Sequence, residues 1–243
     1  MKIETSILKD YINKVSLCGT IPMIDLNFTD KGVTTNVKDY SQVAITSGLL
    51  KREAFQEYEE IADIYIKNSR MLLEILKTFS GIITLEKIED SMIKILGDNR
   101  NVHIMLAEKK ICDNLLEDGK PEIEAEVIFK VDKKVLSQTV NDMKLLDVIS
   151  VLFVKNNGSV NINIGKKKTY DFINNTNICD SFIKGEDKEG IEVGVSGKFK
   201  EVVNSLGESV ILKLATNKPL VFEDKNDNME VSFIVASFID NTE

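Results

Sequence analysis

Four short amphipathic segments recur along the chain at nearly constant intervals. Each follows the i, i+3, i+4, i+7 spacing that places four side chains on one stripe of an α-helix. The intervals from Leu8 to Leu72, from Leu72 to Leu136 and from Leu136 to Phe199 are 64, 64 and 63 residues. The quartets are Leu8, Tyr11, Ile12, Val15; Leu72, Ile75, Leu76, Phe79; Leu136, Thr139, Val140, Met143; and Phe199, Val202, Val203, Leu206. A fixed period of this length indicates a duplicated structural unit.

Short runs of β-branched and aliphatic residues flank the predicted helices. Turn-forming segments such as Gly97-Asp98-Asn99 separate them, as antiparallel hairpins require. One run precedes each helix: Lys2–Glu4, Ala62–Ile66, Ala125–Val131 and Gly190–Val195. Three follow each of the last three helices: Ile82–Leu85, Met92–Leu96, Val102–Leu106; Val148–Val154, Val160–Ile164, Tyr170–Ile173; and Val210–Leu214, Leu220–Phe222, Val231–Val235. The sequence therefore predicts a βαβββ unit four times over.

The repeat predicts an α+β fold with two similar domains. One βαβββ unit has a single helix to cover its sheet, so we expect two units to pair around each core. The segment Lys109–Glu124 has the composition of a linker, with Gly119 and Pro121 among charged residues. We predict an N-terminal domain over 1–110, a connector over 111–124 and a C-terminal domain over 125–243.

Composition narrows the class of protein. The three cysteines are far apart and form no CxxC pair, so neither a disulfide framework nor a zinc site is indicated. No apolar run is long enough to cross a bilayer. We therefore expect a reduced compartment and no membrane partner: the cytoplasm, at a nucleoid or in an infected host cell, or the nucleus in a eukaryote. The net charge of −8 argues against a protein coated with nucleic acid but permits a local basic face.

Catalytic chemistry has little support in the sequence. The single histidine, His103, lies in an alternating strand run without a second ligand at metal spacing. The run Gly165-Lys166-Lys167-Lys168-Thr169 lacks the glycine and the Ser or Thr that a phosphate-binding loop needs at fixed positions. We predict no catalytic residue, no metal site and no cofactor.

Several stretches of the chain resemble the proliferating cell nuclear antigen family, the DNA polymerase sliding clamps of eukaryotes and archaea. The carboxy-terminal run VILKLATNKPLVFEDKNDNMEVSFIVASFI is similar to the last hairpins of that family, and DKGVTTNVKDYSQVAIT to an early one. Further similar positions are Glu53, Phe55 and Tyr58, and Gly119, Pro121 and Glu122 in the linker. The resemblance covers the whole chain.

This resemblance implies the DNA clamp fold: a homotrimeric ring of six domains, with helices inside and antiparallel sheets outside. Such a ring encircles double-stranded DNA without sequence specificity and is not an enzyme. It tethers DNA polymerase and other replication or repair proteins that carry short clamp-binding peptides. A separate clamp loader ATPase opens it.

The resemblance also implies that the outward faces of the four helices meet DNA. On a 3.6-residue wheel, Arg70, Lys77 and Lys134 lie opposite the apolar stripe, and the other lysines lie on its flanks. Acidic residues share this face at Asp10, Glu74 and Glu201, so we expect mixed charge and weak binding to free DNA. The predicted DNA-facing residues are Lys9, Lys14, Arg70, Lys77, Lys134, Lys144 and Lys200.

A client-peptide pocket is a second implication of the resemblance. The chain departs from the family pattern there, with Lys38 for a usual methionine, Asp118 and Lys120 for aliphatic connector residues, and Ser237 for a proline. The predicted pocket residues are Val43, Leu115, Leu116, Pro219, Ile234 and Ala236. The alternative for Val43, Pro219 and Ile234 is that they are simply buried strand residues.

The family joins its subunits by pairing edge strands, which implies two exposed edges in this chain. We expect them at Val102–Glu108 and Asp171–Ile178, with Val102, Ile104, Leu106, Ile173 and Ile178 at the interface. Two alternatives remain open: a subunit of a heteromeric clamp, of archaeal or checkpoint type, and an enzyme or ligand-binding protein on a duplicated α+β scaffold.

Overall fold

The computed structural model describes residues 1–116, 119–164, 174–179 and 181–238. Contacts along the backbone divide the chain into two compact units. The first is Met1–Lys120 together with Lys225–Val231, and the second is Pro121–Asp224 together with the chain from Ser232 onward. Residue 120 lies inside the predicted connector, whereas nothing in the hydrophobic pattern indicates that Lys225–Val231 packs with the first unit.

In the described part of Met1–Lys120, the first unit contains two α-helices and nine strands. Strand β1 lies between β5 and β7, and this sheet continues through β8 to β9, while β4, β3, β2 and β6 are neighbours in a second sheet. The elements are β1 Lys2–Glu4, α1 Thr5–Val15, β2 Ile24–Thr29, β3 Gly32–Lys38, β4 Ala44–Lys51, β5 Phe55–Glu57, β6 Ile64–Ile66, α2 Ser69–Leu76, β7 Ile82–Ile88, β8 Met92–Gly97 and β9 Arg100–Met105.

The second unit repeats this plan. Strand β10 lies between β14 and β16, followed by β17 and β18, and the other sheet has the order β13-β12-β11-β15-β19. The elements are β10 Val127–Asp132, α3 Lys133–Leu145, β11 Ser150–Asn156, β12 Ser159–Ile164, β13 Asn174–Cys179, β14 Phe182–Lys184, β15 Ile191–Ser196, α4 Phe199–Ser205, β16 Ser209–Leu214, β17 Leu220–Lys225, β18 Met229–Val235 and β19 Ser237–Phe238.

The predicted α+β fold with four βαβββ repeats is confirmed. The repeats are β1-α1-β2-β3-β4, β6-α2-β7-β8-β9, β10-α3-β11-β12-β13 and β15-α4-β16-β17-β18. The short strands β5, β14 and β19 are additions that the pattern did not indicate. The predicted strand Tyr170–Ile173 lies outside the described residues.

The apolar quartets form the cores because they face the sheets. In α1 all four members are buried, and the Tyr11 hydroxyl donates a hydrogen bond to the Val33 carbonyl in β3 at 3.1 Å. Gly48 in β4 makes room for this helix, because a Cβ there would lie 2.6 Å from Val15 Cγ1. The third and fourth quartets are also fully buried.

Helix lengths differ from the simple periodic pattern in two places. Helix α2 ends at Leu76 and α4 at Ser205, so Phe79 and Leu206 follow their helices rather than lying within them. Both side chains are nevertheless buried. In α2, Ile75 is only half-buried while Leu73 lies in the core, so the buried stripe is rotated slightly from the one predicted.

Candidate functional site

The outward faces of the two helices in the first unit carry three of the predicted DNA-facing cations. Helices α1 and α2 pack against each other and turn their apolar quartets inward. Arg70 and Lys77 are exposed, and Lys9 is half-buried. All three line one groove between the helices, together with Asp10, Asn13 and Glu74. The structure therefore brings these cations together on one surface, interleaved with carboxylates.

Lys14 was predicted to face DNA, and that prediction is wrong. Its side chain is only 3% exposed, and its Nζ lies 3.1 Å from Oδ2 of Asp10. The position is on the flank of the apolar stripe, and in α1 this flank is covered rather than open. Since a buried, paired ammonium offers no free charge to a phosphate, Lys14 is a structural residue.

A surface ion pair reduces the positive charge on α2. Lys77 Nζ lies 2.7 Å from Oε1 of Glu74, three residues earlier. The hydrogen bond from Lys77, and then the charge of its ammonium, hold the pKa of the Glu74 carboxyl below its ordinary value. Both side chains are more than half exposed, so the pair is weak and a phosphate can compete for Lys77.

In the second unit, the predicted DNA-facing residues Lys134, Lys144 and Lys200 are all exposed on α3 and α4. Within the described part of the chain, none of the three has a carboxylate within ion-pair distance. Lys133, next to Lys134, is different: its Nζ donates to the carbonyls of Leu206 at 2.5 Å and Asn204 at 3.3 Å. Lys133 thus caps the end of α4, while its neighbour remains open to solvent.

Strand β9 is an edge strand, as the resemblance implies. It pairs with β8 on one side, and on the other it is the last strand of its sheet within the residues that the structure describes. The hairpin turn between them consists of Asp98 and Asn99, both with positive φ, and Gly97 is opposite Arg100. Such a turn places its hydrogen bond between Gly97 and Arg100. Hydrogen-bonded pairs then alternate along the ladder, so the N–H groups of Asn101, His103 and Met105 point to the open edge.

The side chains of β9 divide between the two faces of the sheet. Ile104 was predicted at the subunit interface, but its side chain is 2% exposed and belongs to the core of its own unit. Val102 and Leu106, on the same face, are half-buried. The exposed side chains are those of the alternate residues, including His103 and Met105, the latter 62% exposed. Any partner therefore meets this strand through its backbone edge and its other face.

Among the described residues, strand β13 ends the corresponding sheet of the second unit. It pairs with β12, and the described strand covers Asn174–Cys179. Ile178 is half-buried on this edge strand. Ile173, the other predicted interface residue of this segment, lies outside the described residues, as does the lysine-rich run 165–169.

The connector residues Leu115 and Leu116 lie beside β3 in the first unit. Val37 and Leu115 form an isolated antiparallel bridge, and the Leu116 N–H donates to the Asn36 carbonyl at 3.1 Å. Leu115, Leu116 and Val43 are each half-buried, so all three keep apolar surface accessible to a partner. The connector departure predicted at Asp118 lies outside the described residues.

Asn114 and Tyr40 are parts of this surface that sequence reasoning missed. Asn114 is buried, donates to the Met23 carbonyl at 2.8 Å and accepts the Lys38 N–H at its own carbonyl at 2.9 Å. It thereby holds the connector against the end of β3. Tyr40 is 54% exposed in the loop before Val43, and Ile111 is also exposed. An aromatic residue within a polar loop was the available signal for Tyr40.

The remaining predicted pocket residues lie in the second unit. Pro219 is half-buried and Ala236 is exposed. Ile234 is 4% exposed, because β18 is buried at consecutive positions rather than at alternate ones. For Ile234 the structure supports the alternative of a core strand residue, and its assignment as an open pocket residue is corrected accordingly.

Neither a metal site nor a membrane helix is found in the part of the chain that the structure describes. No group of three or more His, Cys, Asp or Glu side chains within it is placed to hold a metal ion. None of its helices has the length and apolar character needed to span a bilayer.

Comparison with known proteins identifies the fold. No family profile matches the sequence, and no curated protein matches it. Solved structures do. A PCNA from A. fulgidus, bound to the C-terminal region of FEN-1, is similar with a TM-score of 0.82 and 16% identity, covering 99% of this chain and 98% of that one. The PCNA of Entamoeba histolytica has a TM-score of 0.80 and 18% identity, covering 98% of each chain. That of Thermococcus kodakaraensis has 0.81 and 18%, covering 98% and 99%. The chain therefore has the fold of PCNA.

Proposed function

We propose that this chain is a DNA sliding clamp: a homotrimeric ring that encircles duplex DNA and tethers DNA polymerase and other replication or repair proteins. The observation that carries the proposal is the PCNA fold over essentially the whole chain, with four repeats and no large addition. In this fold the function depends on the shape of the assembled ring, so agreement over the full length is more informative than a shared scaffold would otherwise be.

The internal repeat supports closure into a ring. The third strands after the four helices are β4, β9, β13 and β18. In the first unit, β4 is covered by the Lys225–Val231 segment of the fourth repeat: the Lys51 N–H donates to the Asn228 carbonyl at 2.9 Å, and Lys51 Nζ lies 3.5 Å from Glu230 Oε1. In the described structure, β9 and β13 end their sheets.

The same strand pairing between copies would use both open edges. If β9 of one copy pairs with β13 of the next, the second repeat of one copy lies beside the third repeat of its neighbour. Within one chain, the fourth repeat lies beside the first in the same way, through β18 and β4. This contact joins two different surfaces, and such head-to-tail contacts generate closed rings when the rotation closes. Closure also removes two edges that would otherwise favour aggregation.

Two surfaces suit a sliding ring rather than an enzyme. The helix faces carry lysines mixed with carboxylates, which provides attraction to phosphates without a tight or base-specific contact. The apolar surface of Tyr40, Val43, Leu115 and Leu116 suits a short peptide with an apolar plug. We propose that the ring is opened by a separate clamp loader ATPase and acts by raising the local concentration of its clients.

The assembly is tested by the solution mass of the pure protein. Three chains of 27.3 kDa give about 82 kDa, which light scattering should measure over a wide range of concentration. A monomer at every concentration would contradict the homotrimer and would point to a heteromeric clamp with other subunits.

A further inference from the structure

The connector pairs with the end of β3 as a short antiparallel strand. Val37 is opposite Leu115 in the isolated bridge, and the Lys38 N–H donates to the Asn114 carbonyl at 2.9 Å. Side chains alternate between the two faces along paired strands. The Lys38 side chain therefore lies on the opposite face from Val37 and Leu115, and it shares its own face with Asn114 and Leu116.

The other neighbours of Lys38 on this surface are apolar or aromatic. Lys38 is opposite Ile45 in β4, and opposite residues of an antiparallel pair share one face. Both side chains are half-buried. The turn from β3 to β4 adds Tyr40, which is 54% exposed, and Val43, which is half-buried. Lys38 is thus a cation set within the surface proposed for client peptides.

The Lys38 ammonium has no carboxylate within ion-pair distance among the residues that the structure describes. Asp39, the next residue, is buried, and its carboxylate accepts the Val43 N–H at 2.8 Å, so it is bonded within the turn. Asp113 is exposed on the connector and acts on Tyr40 instead: burial and then the charge of Asp113 raise the pKa of the Tyr40 hydroxyl.

An unpaired ammonium at this place limits what can cover the surface. A purely apolar peptide removes water from the charge and gives it no partner, which destabilises the complex. A basic side chain at the same place is repelled. A carboxylate replaces the lost water and accepts a charge-assisted hydrogen bond. The surface therefore discriminates among peptides by charge as well as by apolar contact.

We propose that the client peptides of this chain carry an Asp or Glu side chain next to the apolar residues that they insert, and that Lys38 binds this carboxylate. Lys38 is then the residue that determines which clients the chain accepts. The proposal rests on the client-binding function proposed above. It adds a specific requirement to that function, because a peptide with apolar residues alone binds poorly.

The test selects binding sequences from a random library of short peptides displayed on phage. The assembled parent protein is compared with Lys38→Met, which removes the charge and keeps a long unbranched side chain, and with Lys38→Glu, which reverses it. Lys31→Met is the matched control, since it removes the same charge just before the other end of β3. Light scattering and thermal melting confirm that each variant is assembled and folded.

The selected sequences should follow the charge at position 38. The parent and Lys31→Met should enrich an acidic residue beside apolar ones, Lys38→Met should lose this enrichment, and Lys38→Glu should enrich Lys or Arg instead. A selected peptide is then compared by fluorescence anisotropy with an analogue that has the matching amide in place of the acid. The analogue should bind the parent about tenfold more weakly, as expected for loss of a hydrogen bond between charged groups, and should bind Lys38→Met as well as the acidic peptide does.

Three results would contradict parts of this proposal. Equal enrichment of acidic residues by the parent and Lys38→Met would mean that Lys38 does not read the peptide, and would overturn its role. Selected peptides that bind Val43→Glu as tightly as the parent contact another surface, which would also overturn it. If the parent selects no peptide, the client surface itself is wrong. A parent protein that is not retained on closed circular DNA would instead contradict the clamp function, which peptide selection does not measure.

Discussion

At the scale of single residues, buried polar groups show how the first unit is held together. Asp25 in β2 is buried and accepts hydrogen bonds from Asn27 Nδ2 at 2.5 Å and from the Asn36 N–H at 3.0 Å. Burial raises the pKa of the Asp25 carboxyl, and these hydrogen bonds only partly oppose the effect. The fold therefore favours the protonated form of this group.

This shift has a consequence for stability. A carboxyl whose pKa is raised in the folded state contributes stability that is present below its unfolded pKa, near 4, and is lost as the pH rises through the folded value. The melting temperature of Asp25→Asn relative to the parent should therefore increase from pH 4 to pH 8, on top of a constant offset from altered hydrogen bonds. A difference that is independent of pH would contradict the role of Asp25 ionisation.

A substitution at the single residue Val43 tests the proposed client surface. A carboxylate at this half-buried apolar position should abolish stimulation of DNA polymerase, because a charge cannot enter an apolar contact without a large loss of solvation. Val43→Glu is therefore compared with Asn157→Asp, which adds the same charge on an exposed turn of the second unit. Primer extension measures the effect, and light scattering confirms assembly. Normal stimulation by an assembled Val43→Glu protein would exclude this surface.

The errors in predicting side-chain positions come from features that a single helix or strand pattern does not contain. Lys14 lies on the flank of a stripe, and only the tertiary structure decides whether a flank is open. Ile104 and Ile234 were placed on functional surfaces although each is buried in its strand. Tyr40 was missed because its exposure depends on how the loop before Val43 is folded.

At the scale of elements, hydrophobic periodicity predicted the four helices and most strands because each element buries one face. Hydrophobic periodicity does not indicate which strands pair with one another at the edges of the sheets. In particular, the segment Lys225–Val231 packs with the first unit, since strand pairing across a long sequence separation leaves no mark on local periodicity.

A proline substitution in strand β9 tests whether this strand forms the subunit edge. Proline at His103 removes an N–H that points to the open edge, whereas proline at Ile104 would remove one that bonds to β8 and would damage the unit itself. His103→Pro should therefore reduce the mass measured by light scattering toward that of one chain. Circular dichroism and thermal melting should remain close to those of the parent. An unchanged trimer would mean that β9 is not the subunit edge.

At the scale of the whole molecule, the sequence resemblance and the fold agree although identity to the solved structures is only 16–18%. A fold can be shared at such low identity because apolar periodicity and turn-forming residues, rather than particular surface residues, determine the core. In the proposed function the shape of the ring holds the DNA, because a closed ring needs no catalytic group and no base-specific contact to do so.

Retention on DNA of defined topology shows whether the protein encircles the duplex. The protein is mixed with a long linear duplex, the ends are ligated to form a circle, and the complex is separated by gel filtration at high salt. We expect the protein to remain on the circle, because salt weakens ionic contacts but cannot open a topological link. We also expect the protein to be released when a restriction enzyme cuts the circle. Equal loss from closed and cut DNA would show that the protein binds by contact alone and would contradict a sliding clamp.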